Sequence, residues 1–258
     1  MEKREERSAS AFFFLLGGYD LEMAEIRRML EEYQLVEGED FLDFKLSWGA
    51  RLSAYQGHFH AERINVAVEL QEDIPPPARY LRIDHHNELP PRPAAIEQLA
   101  ALLGIPLQRR QQLVAANDAG YIPAMRAMGA SEAEISDIRR QDRASQGVTE
   151  DDERLAEKAI QETMYVDRGV AVIPAFSSKF SPITDRLFGR FEKILIFTDR
   201  ELTYYGKNKP LLESRFADWM RSGMAYSGGG EEGFWGVAAN GLPEEEILQL
   251  VTQIPVIV

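Results

Sequence analysis

The feature that most constrains the fold is an uninterrupted apolar run, AFFFLL, at residues 11–16. A strand that is apolar at every position is typically buried on both faces, as the strands of parallel sheets are. Gly17 and Gly18 end the run, and residues 21–33 then place apolar side chains at close to helical spacing. A buried strand, a glycine turn and an amphipathic helix in this order predict an α/β fold.

The same alternation continues through the first half of the chain. Residues 64–70 (INVAVEL) and 80–84 (YLRID) have the composition of strands, and residues 94–103 predict a helix that ends at Gly104. Residues 113–116 (LVAA) indicate another short strand or the end of a helix. Strands that alternate with helices in this way predict a doubly wound, mainly parallel sheet.

The character of the sequence changes near Ser131. Ser131 with Glu134, and Thr149 followed by acidic residues, are start signals for two charged helices. Strands and helices then alternate again, at residues 170–175, 193–198, 202–205, 211–220 and 244–253. We therefore predict a first α/β domain at residues 1–130, a helical connector at 131–165, and a smaller α/β C-terminal lobe at 166–258.

Composition limits the classes of partner. The 258 residues include 29 Lys and Arg against 42 Asp and Glu, a net charge of −13. Because binding of long duplex nucleic acid depends on rows of cationic side chains, this balance favours substrates with few phosphates. The chain has no cysteine, which excludes disulfides and thiolate ligands and agrees with a cytoplasmic location. The apolar run at 11–16 is too short to span a membrane, so we expect no membrane partner.

Two of the four histidines stand together in IDHHN, residues 83–87, where the third predicted strand ends. Asp84, His85 and His86 offer carboxylate oxygen and imidazole nitrogen side by side, a donor set that suits a divalent transition metal. The other two, His58 and His60, lie in a predicted loop, and we interpret them as surface residues. The triplet therefore predicts metal or phosphate chemistry.

Further acidic residues follow the other predicted strands, at Asp20, Glu22, Glu69 and Asp118. Glu69 follows an apolar strand, an unfavourable place for a carboxylate unless a cation meets it, whereas the other three have ordinary explanations when taken alone. Asp20 is explained as a helix cap, Glu22 as an exposed acid in a first helical turn, and Asp118 as a turn residue. Because strand ends of an open α/β sheet converge on one crevice, their coincidence with the histidines predicts a site for two metal ions.

These motifs resemble those of the DHH phosphoesterase superfamily, which includes nanoRNases, cyclic-dinucleotide phosphodiesterases, RecJ-type exonucleases and manganese-dependent pyrophosphatases. The stretch Asp84-His85-His86 is similar to the motif that names the family. Asp20-Leu21-Glu22 stands where the family has Asp-x-Asp, Glu69 where it has a single Asp, and Asp118-Ala119-Gly120 where it has a DTG-like turn. Near the C-terminus, residues 226–230 (YSGGG) are similar to the start of the family's GGGH loop.

The chain departs from the family pattern at three points. Glu stands at positions 22 and 69 in place of Asp, residues 12–18 contain no histidine, and Glu231 follows the glycines in place of histidine. The longer glutamate side chains alter the spacing of bound metals, and the missing loop histidine removes a proton donor or phosphate contact. These departures are compatible with a changed metal preference, an unusual substrate or a loss of activity.

The resemblance implies a role for each matched residue. It implies that Mn²⁺ or Mg²⁺, as two ions, binds to Asp20, Glu22, Glu69, His85 and Asp118. It also implies that Asp84 orients His85 and that His86 contacts a phosphate oxygen, which makes Asp84, His85 and His86 the catalytic group. Substrate contacts are expected from Asn87, Arg143, Ser227, Gly228, Gly229 and Gly230. A tight turn is an equally weighted explanation for the glycines. Arg139, Arg140 and Arg143 of the connector are candidates for cationic contacts, but a surface position is the preferred interpretation for at least two of them.

The function that we predict is metal-dependent hydrolysis of short linear or cyclic oligonucleotides. Phe234 and Trp235 are candidates to stack on a base, although core packing is the commoner fate of such residues. One alternative is a pyrophosphatase-like hydrolase of small phosphates, and another is a non-catalytic nucleotide sensor on the same scaffold. A homodimer is compatible with the sequence.

Overall fold

The computed structural model describes residues 11–47, 49–86, 92–229, 233–237 and 241–258. The chain divides into two compact units, Met1–Gly147 and Val148–Val258. This division falls inside the predicted connector, so that its first helix belongs to the first unit and its second helix to the second.

A four-stranded parallel sheet forms the centre of the first unit, with strand order β2-β1-β3-β4. The strands are β1 (Phe12–Leu15), β2 (Phe41–Leu42), β3 (Ile64–Val68) and β4 (Tyr80–Ile83). The two faces of β1 enter different cores, because successive side chains of a strand point in opposite directions. Phe14 packs with the helices, whereas Phe13 and Leu15 pack with the 3₁₀ helix Leu52–Tyr55. The apolar run at residues 11–16 is thus a strand buried on both faces, as predicted.

Among the residues of the first unit that the structure describes, four helices pack with the sheet. They are α1 (Leu21–Glu32), α2 (Ala95–Leu103), α3 (Arg109–Ala127) and α4 (Glu132–Ser145). The prediction for residues 113–116 was wrong, because they lie in the interior of α3 rather than in a strand or at a helix end. All four side chains are buried, and a short apolar run of this kind does not distinguish a strand from a buried helical segment.

The second unit contains a six-stranded mixed sheet of order β5-β6-β7-β8-β10-β9, in which only β6 and β7 pair in parallel. Its strands are β5 (Tyr165–Asp167), β6 (Val170–Pro174), β7 (Lys193–Phe197), β8 (Leu202–Gly206), β9 (Ala225–Gly228) and β10 (Phe234–Val237). Its helices are α5 (Glu150–Glu162), α6 (Ser181–Leu187), α7 (Lys209–Arg215), α8 (Ala217–Ser222) and α9 (Glu244–Ile257). The helix predicted at 211–220 is therefore two short helices, which meet at Phe216.

The prediction of an α/β chain with a mainly parallel sheet and a smaller α/β C-terminal lobe is confirmed. Residues 148–258 enclose a core of their own, in which the largest side chain is the fully buried Trp235. Among the described helices, none has the length and hydrophobicity needed to cross a bilayer.

Candidate metal centre

The carboxyl ends of the parallel strands of the first unit carry the candidate ligands. Glu69 follows β3 directly, and Asp84, His85 and His86 follow β4. Asp20 lies beyond the Gly17-Gly18 turn that follows β1, where it begins α1. Because β1, β3 and β4 are parallel neighbours, their ends meet at one edge of the sheet, as ligand-binding residues of α/β folds do.

Four side chains form a compact group of possible metal ligands. One donor atom from each of Glu69, His85, His86 and Asp118 lies within 4.8 Å of the others. His85 Nε2 is 2.5 Å from Asp118 Oδ2 and 3.5 Å from Glu69 Oε1. His86 Nε2 is 3.3 Å from the same oxygen of Glu69. We call these four residues the metal cluster.

The backbone at Glu69 is shaped by a close approach to Gly17. Glu69 has φ +52°, in the left-handed region that residues with a side chain adopt infrequently. A Cβ atom on Gly17 would lie 2.5 Å from Val68 O and 2.6 Å from Glu69 O, so only glycine fits there. The glycine after β1 therefore allows the end of β3 to come close enough to present Glu69 to the cluster. The sequence shows the glycine pair but does not predict the contact of Gly17 with the end of β3.

Asp118 reaches the cluster from a helix. The sequence predicted that Asp118 follows a strand, but it lies within α3, which packs against α1 and α2. The helix has a break two residues later, where Gly120 and Tyr121 have non-helical backbone angles. The turn-like signal of residues 117–120 (NDAG) therefore corresponds to a break inside one long helix.

Asp20 and Glu22 lie beside the cluster at the start of α1. Asp20 Oδ1 accepts a hydrogen bond from the Met23 amide at 2.8 Å, so the interpretation of Asp20 as a helix cap is correct. Glu22 is only 2% exposed, so the interpretation as an exposed first-turn acid is wrong. Its Oε1 accepts a hydrogen bond from the Ile96 amide at 3.0 Å, which ties α1 to the start of α2.

Crowding of carboxylates disfavours their ionised forms. Burial, reinforced by the negative charges of Glu69, Asp118 and Asp142, raises the pKa of Asp20 to about 7. Burial and the charges of Asp118 and Glu69 also raise the pKa of Glu22 well above its ordinary value. Carboxyl groups whose pKa is raised in this way are stabilised by a bound proton or by another cation. Such shifted pKa values are common at functional sites.

The histidines of the cluster have the opposite electrostatics. Burial opposes protonation of His85, but the nearby carboxylates of Asp118 and Glu69 outweigh it and raise the pKa of His85 to about 10. The pKa of His86 is also raised, chiefly by Glu69. Burial opposes ionisation of Glu69, but its contacts with the two imidazoles prevail and lower its pKa to about 2. Without a metal, the imidazoles therefore act as the cations of the cluster.

The residues present fit a divalent cation. Within the described part of the chain, Glu22 Oε2 is buried and makes no hydrogen bond, whereas Glu69 Oε1 has the two imidazole nitrogens at 3.3 and 3.5 Å. Buried carboxylate oxygens without such partners are costly unless a cation meets them. Carboxylate and imidazole donors together suit Mn²⁺, and carboxylate oxygens alone suit Mg²⁺.

Asp84 is occupied by other partners. Its Oδ2 is 2.6 Å from an Arg82 guanidinium nitrogen, and its Oδ1 accepts a hydrogen bond from the His86 amide at 2.9 Å. Its backbone carbonyl accepts a hydrogen bond from Gln98 Nε2 at 3.2 Å. Asp84 therefore shapes the turn that carries both histidines, and no contact between its carboxylate and the His85 ring is observed among the described hydrogen bonds.

The predicted substrate contacts have different surroundings. Asn87 and Gly230 lie outside the described residues. Arg143 is buried in α4, so the surface interpretation does not hold for it. Ser227 and Gly228 end strand β9, and the exposed Gly229 follows with φ +70°, which suits a tight turn.

The aromatic residues near these glycines are not equivalent. Trp235 is fully buried and stacks on Phe216 with ring centroids 5.0 Å apart, so it belongs to the core. Phe234, on the opposite face of β10, contacts Tyr226 at 6.1 Å between centroids. Tyr226 is 40% exposed, and its hydroxyl is 3.0 Å from Thr203 Oγ1. The exposed ring next to the glycines is therefore Tyr226, which the sequence did not single out because Phe234-Trp235 dominated that segment.

The fold is similar to those of solved phosphoesterases and a DHH domain. A pGpG-specific phosphodiesterase, PggH, from Vibrio cholerae is 14% identical, with a TM-score of 0.47, over 96% of this chain and all of the other. RecJ in complex with Mn²⁺ from Thermus thermophilus is 12% identical, with a TM-score of 0.48, over 98% of this chain and 54% of RecJ. A DHH domain from a member of a family of ribosomal proteins is 11% identical, with a TM-score of 0.46, over 98% of this chain and 89% of that domain.

No protein-family model matches the chain, and no curated protein matches it in sequence. The similar structures include a DHH domain, the type of domain whose motifs the sequence resembles. At these identities and scores, the similarity assigns neither a substrate nor a residue role to this chain.

Proposed function

We propose that this protein is a metal-dependent phosphoesterase of the DHH type that hydrolyses short linear or cyclic oligonucleotides. The observation that carries the proposal is the metal cluster of Glu69, His85, His86 and Asp118, beside the buried Glu22 Oε2, which makes no hydrogen bond within the described residues. A donor set of this kind at the carboxyl edge of a parallel sheet has the chemistry of a two-metal phosphoryl-transfer site.

In this proposal, Glu69, His85 and Asp118 hold one ion, and Asp20 and Glu22 provide carboxylates for a second. When bound, the metal lowers the pKa of a water molecule and neutralises charge on the phosphate oxygens. Asp84 holds the turn that carries the two histidines through its contacts with Arg82 and the His86 amide.

His86 has a separate role. Its side chain is 42% exposed, whereas that of His85 is 7% exposed, so His86 lies on the solvent side of the cluster. We assign to its imidazole a hydrogen bond to a phosphate oxygen, because a protonated ring offsets charge that develops in the transition state.

The net charge supports a small substrate. A charge of −13 disfavours a long polyanion, while a few phosphates can be met by the metal and local cations.

The proposal is tested by a screen of the purified protein with Mn²⁺ or Mg²⁺. The substrates are pyrophosphate, linear dinucleotides, cyclic dinucleotides and longer cyclic oligonucleotides. We expect metal-dependent hydrolysis of at least one nucleotide substrate, lost in His85→Ala and retained in His58→Ala, which changes a histidine in contact with Phe44 instead. Hydrolysis of pyrophosphate alone would favour the small-phosphate hydrolase, and metal binding with no hydrolysis would favour the sensor.

A further inference from the structure

Asp118 lies close to a segment of α3 that has unusual backbone angles. It lies two residues before the break in α3, and at that break Tyr121 has φ +58° and ψ −150°. Residues with a Cβ atom seldom adopt these angles unless the surrounding structure holds them there. A Cβ atom on Gly120 would also lie 2.8 Å from the Ala124 Cβ atom, so the break is tightly packed.

One side chain contacts the α3 segment on both sides of Asp118. Arg139, from α4, is 8% exposed, and its guanidinium group donates to Asn117 Oδ1 at 2.9 Å. The same group lies 4.4 Å from the centre of the Tyr121 ring. A planar guanidinium can donate along its edge while its face stacks on an aromatic ring, which an ammonium group cannot do. Arg139 thus contacts both Asn117, directly before Asp118, and the strained Tyr121, three positions after it.

The charge of Arg139 is compensated locally. Its guanidinium group is 2.5 Å from Asp142 Oδ2, one turn further along α4. Asp142 also accepts a hydrogen bond from Gln146 at 3.1 Å and is 7% exposed. A buried cation with an anionic partner and two contacts on α3 is suited to holding that helix in place rather than to meeting a substrate.

We propose that Arg139 is a positioning residue, which holds the break in α3 and thereby keeps the Asp118 carboxylate 2.5 Å from His85 in the metal cluster. The inference rests on the proposed function in that the cluster is taken to bind a metal. It adds a residue outside the resembled motifs, on a helix that supplies no donor atom to the cluster.

The sign of the effect separates this role from simple electrostatics. Removal of a positive charge near a cation site should strengthen cation binding. If Arg139 positions Asp118, its removal should instead weaken binding. We expect the Kd of Mn²⁺, measured by calorimetry on the folded full-length protein, to rise about 10- to 100-fold in Arg139→Met, the usual range for partners that orient metal ligands.

The matched control is the neighbouring residue. Arg140 is on the same helix, but it is exposed and pairs with the exposed Asp137. Arg140→Met should leave the Kd of Mn²⁺ unchanged. If Arg139→Met does not fold, Arg139→Lys retains the charge opposite Asp142 but lacks the planar group, and it should weaken Mn²⁺ binding by a smaller factor. A lower melting temperature with an unchanged Kd would overturn the proposal.

A double-mutant cycle tests whether Arg139 acts through Asp118. The double variant Arg139→Met/Asp118→Asn should bind Mn²⁺ no more weakly than Asp118→Asn alone. Independent, additive losses would overturn the proposal. If the wild-type protein binds no Mn²⁺, the proposed function fails, but the positioning role is still measurable in the metal-free protein. The nitrogen NMR signal of His85 Nε2 should then shift in Arg139→Met and not in Arg140→Met, and no difference between the variants would overturn it.

Discussion

Asp118 Oδ2 lies 2.5 Å from His85 Nε2, although the two residues are 33 positions apart and belong to different elements. Asp118 comes from the interior of a helix, and His85 from the loop after strand β4. Their contact joins α3 to the strand ends at the metal cluster. The same pairing explains why the pKa of His85 is raised, since the carboxylate stabilises the protonated ring.

Loss of either residue of this pair should impair metal binding. We expect His85→Ala and Asp118→Asn to raise the Kd of Mn²⁺ by about 100-fold, because the first removes a donor atom and the second removes the negative charge of a donor. Calorimetric titration of the full-length protein measures the effect. His58→Ala serves as the control, and unchanged binding in both cluster variants would contradict the site.

Metal binding should stabilise the first unit. At a concentration of Mn²⁺ about 100-fold above its Kd, linkage predicts about 2.7 kcal/mol of added stability, which corresponds to about 5–10 °C in the melting temperature of a unit of this size. Scanning calorimetry with and without Mn²⁺ measures the shift. Addition of EDTA should reverse it, and a melting temperature indifferent to Mn²⁺ would count against a bound metal.

Glu22→Gln tests two effects of the crowded carboxylates, a lower stability of the protein without metal and a larger stabilisation when metal binds. Its raised pKa means that the folded chain disfavours the ionised carboxylate, so we expect the variant to melt several degrees higher than wild type without metal at about pH 8. The increase in melting temperature upon addition of Mn²⁺ should become smaller, because one anionic donor is missing. Glu31→Gln, on the exposed side of α1, should change neither quantity. A metal-free Glu22→Gln protein less stable than wild type would refute this account.

The stability of the metal-free protein should fall as pH rises from about 5 to 9. The pKa of Asp20 is about 7 in the folded chain against an ordinary 3.8, so the folded state binds this proton more tightly, and its contribution is lost as pH rises through 7. The pKa of His85 is about 10 in the folded chain against an ordinary 6.5, so the stability that this residue contributes is lost as pH rises between those values. The pKa of Glu69 is lowered to about 2, so Glu69 adds stability as pH rises, but only below about pH 4.5.

Urea denaturation in EDTA across this pH range measures the trend. With saturating Mn²⁺ the dependence should flatten or reverse, because the metal replaces the protons and its affinity increases with pH. The variant His85→Ala should lose part of the metal-free slope. A metal-free protein that becomes more stable between about pH 6 and 9 would contradict the assigned pKa shifts.

Trp235 and Tyr226, two of the aromatic residues of the β9–β10 hairpin, should respond differently to truncation. Trp235→Ala should reduce the free energy of unfolding by about 3–5 kcal/mol, because the ring is fully buried against Phe216. Tyr226→Ala removes a half-exposed ring and should cost about 1 kcal/mol. Urea denaturation measures both values. Equal losses in the two variants would contradict the different burial of these side chains.

Several parts of the fold follow from local sequence signals. The buried first strand, the helix after Gly17-Gly18, the capping box at Ser131 and the helix start at Thr149 were predicted correctly, because hydrophobic periodicity and capping act over about three to five residues. The prediction for residues 113–116 was wrong for the same reason. Four apolar residues are compatible with either a strand or a buried helix, and only packing against α1 and α2 decides between them.

The donor types of the candidate site can be read from the sequence, since a carboxylate and two histidines at a strand end offer the oxygen and nitrogen atoms that a divalent metal takes. The position of Asp84, His85 and His86 at the end of a strand can be read from it as well. Which of the candidate groups meet depends on the tertiary structure. Four findings depend on how the chain packs in three dimensions. Glu22 and Trp235 are buried, Asp118 comes from a helix, and Asp84 is bound by Arg82. Local periodicity carries no information about such contacts, whereas packing and charge in the folded chain do.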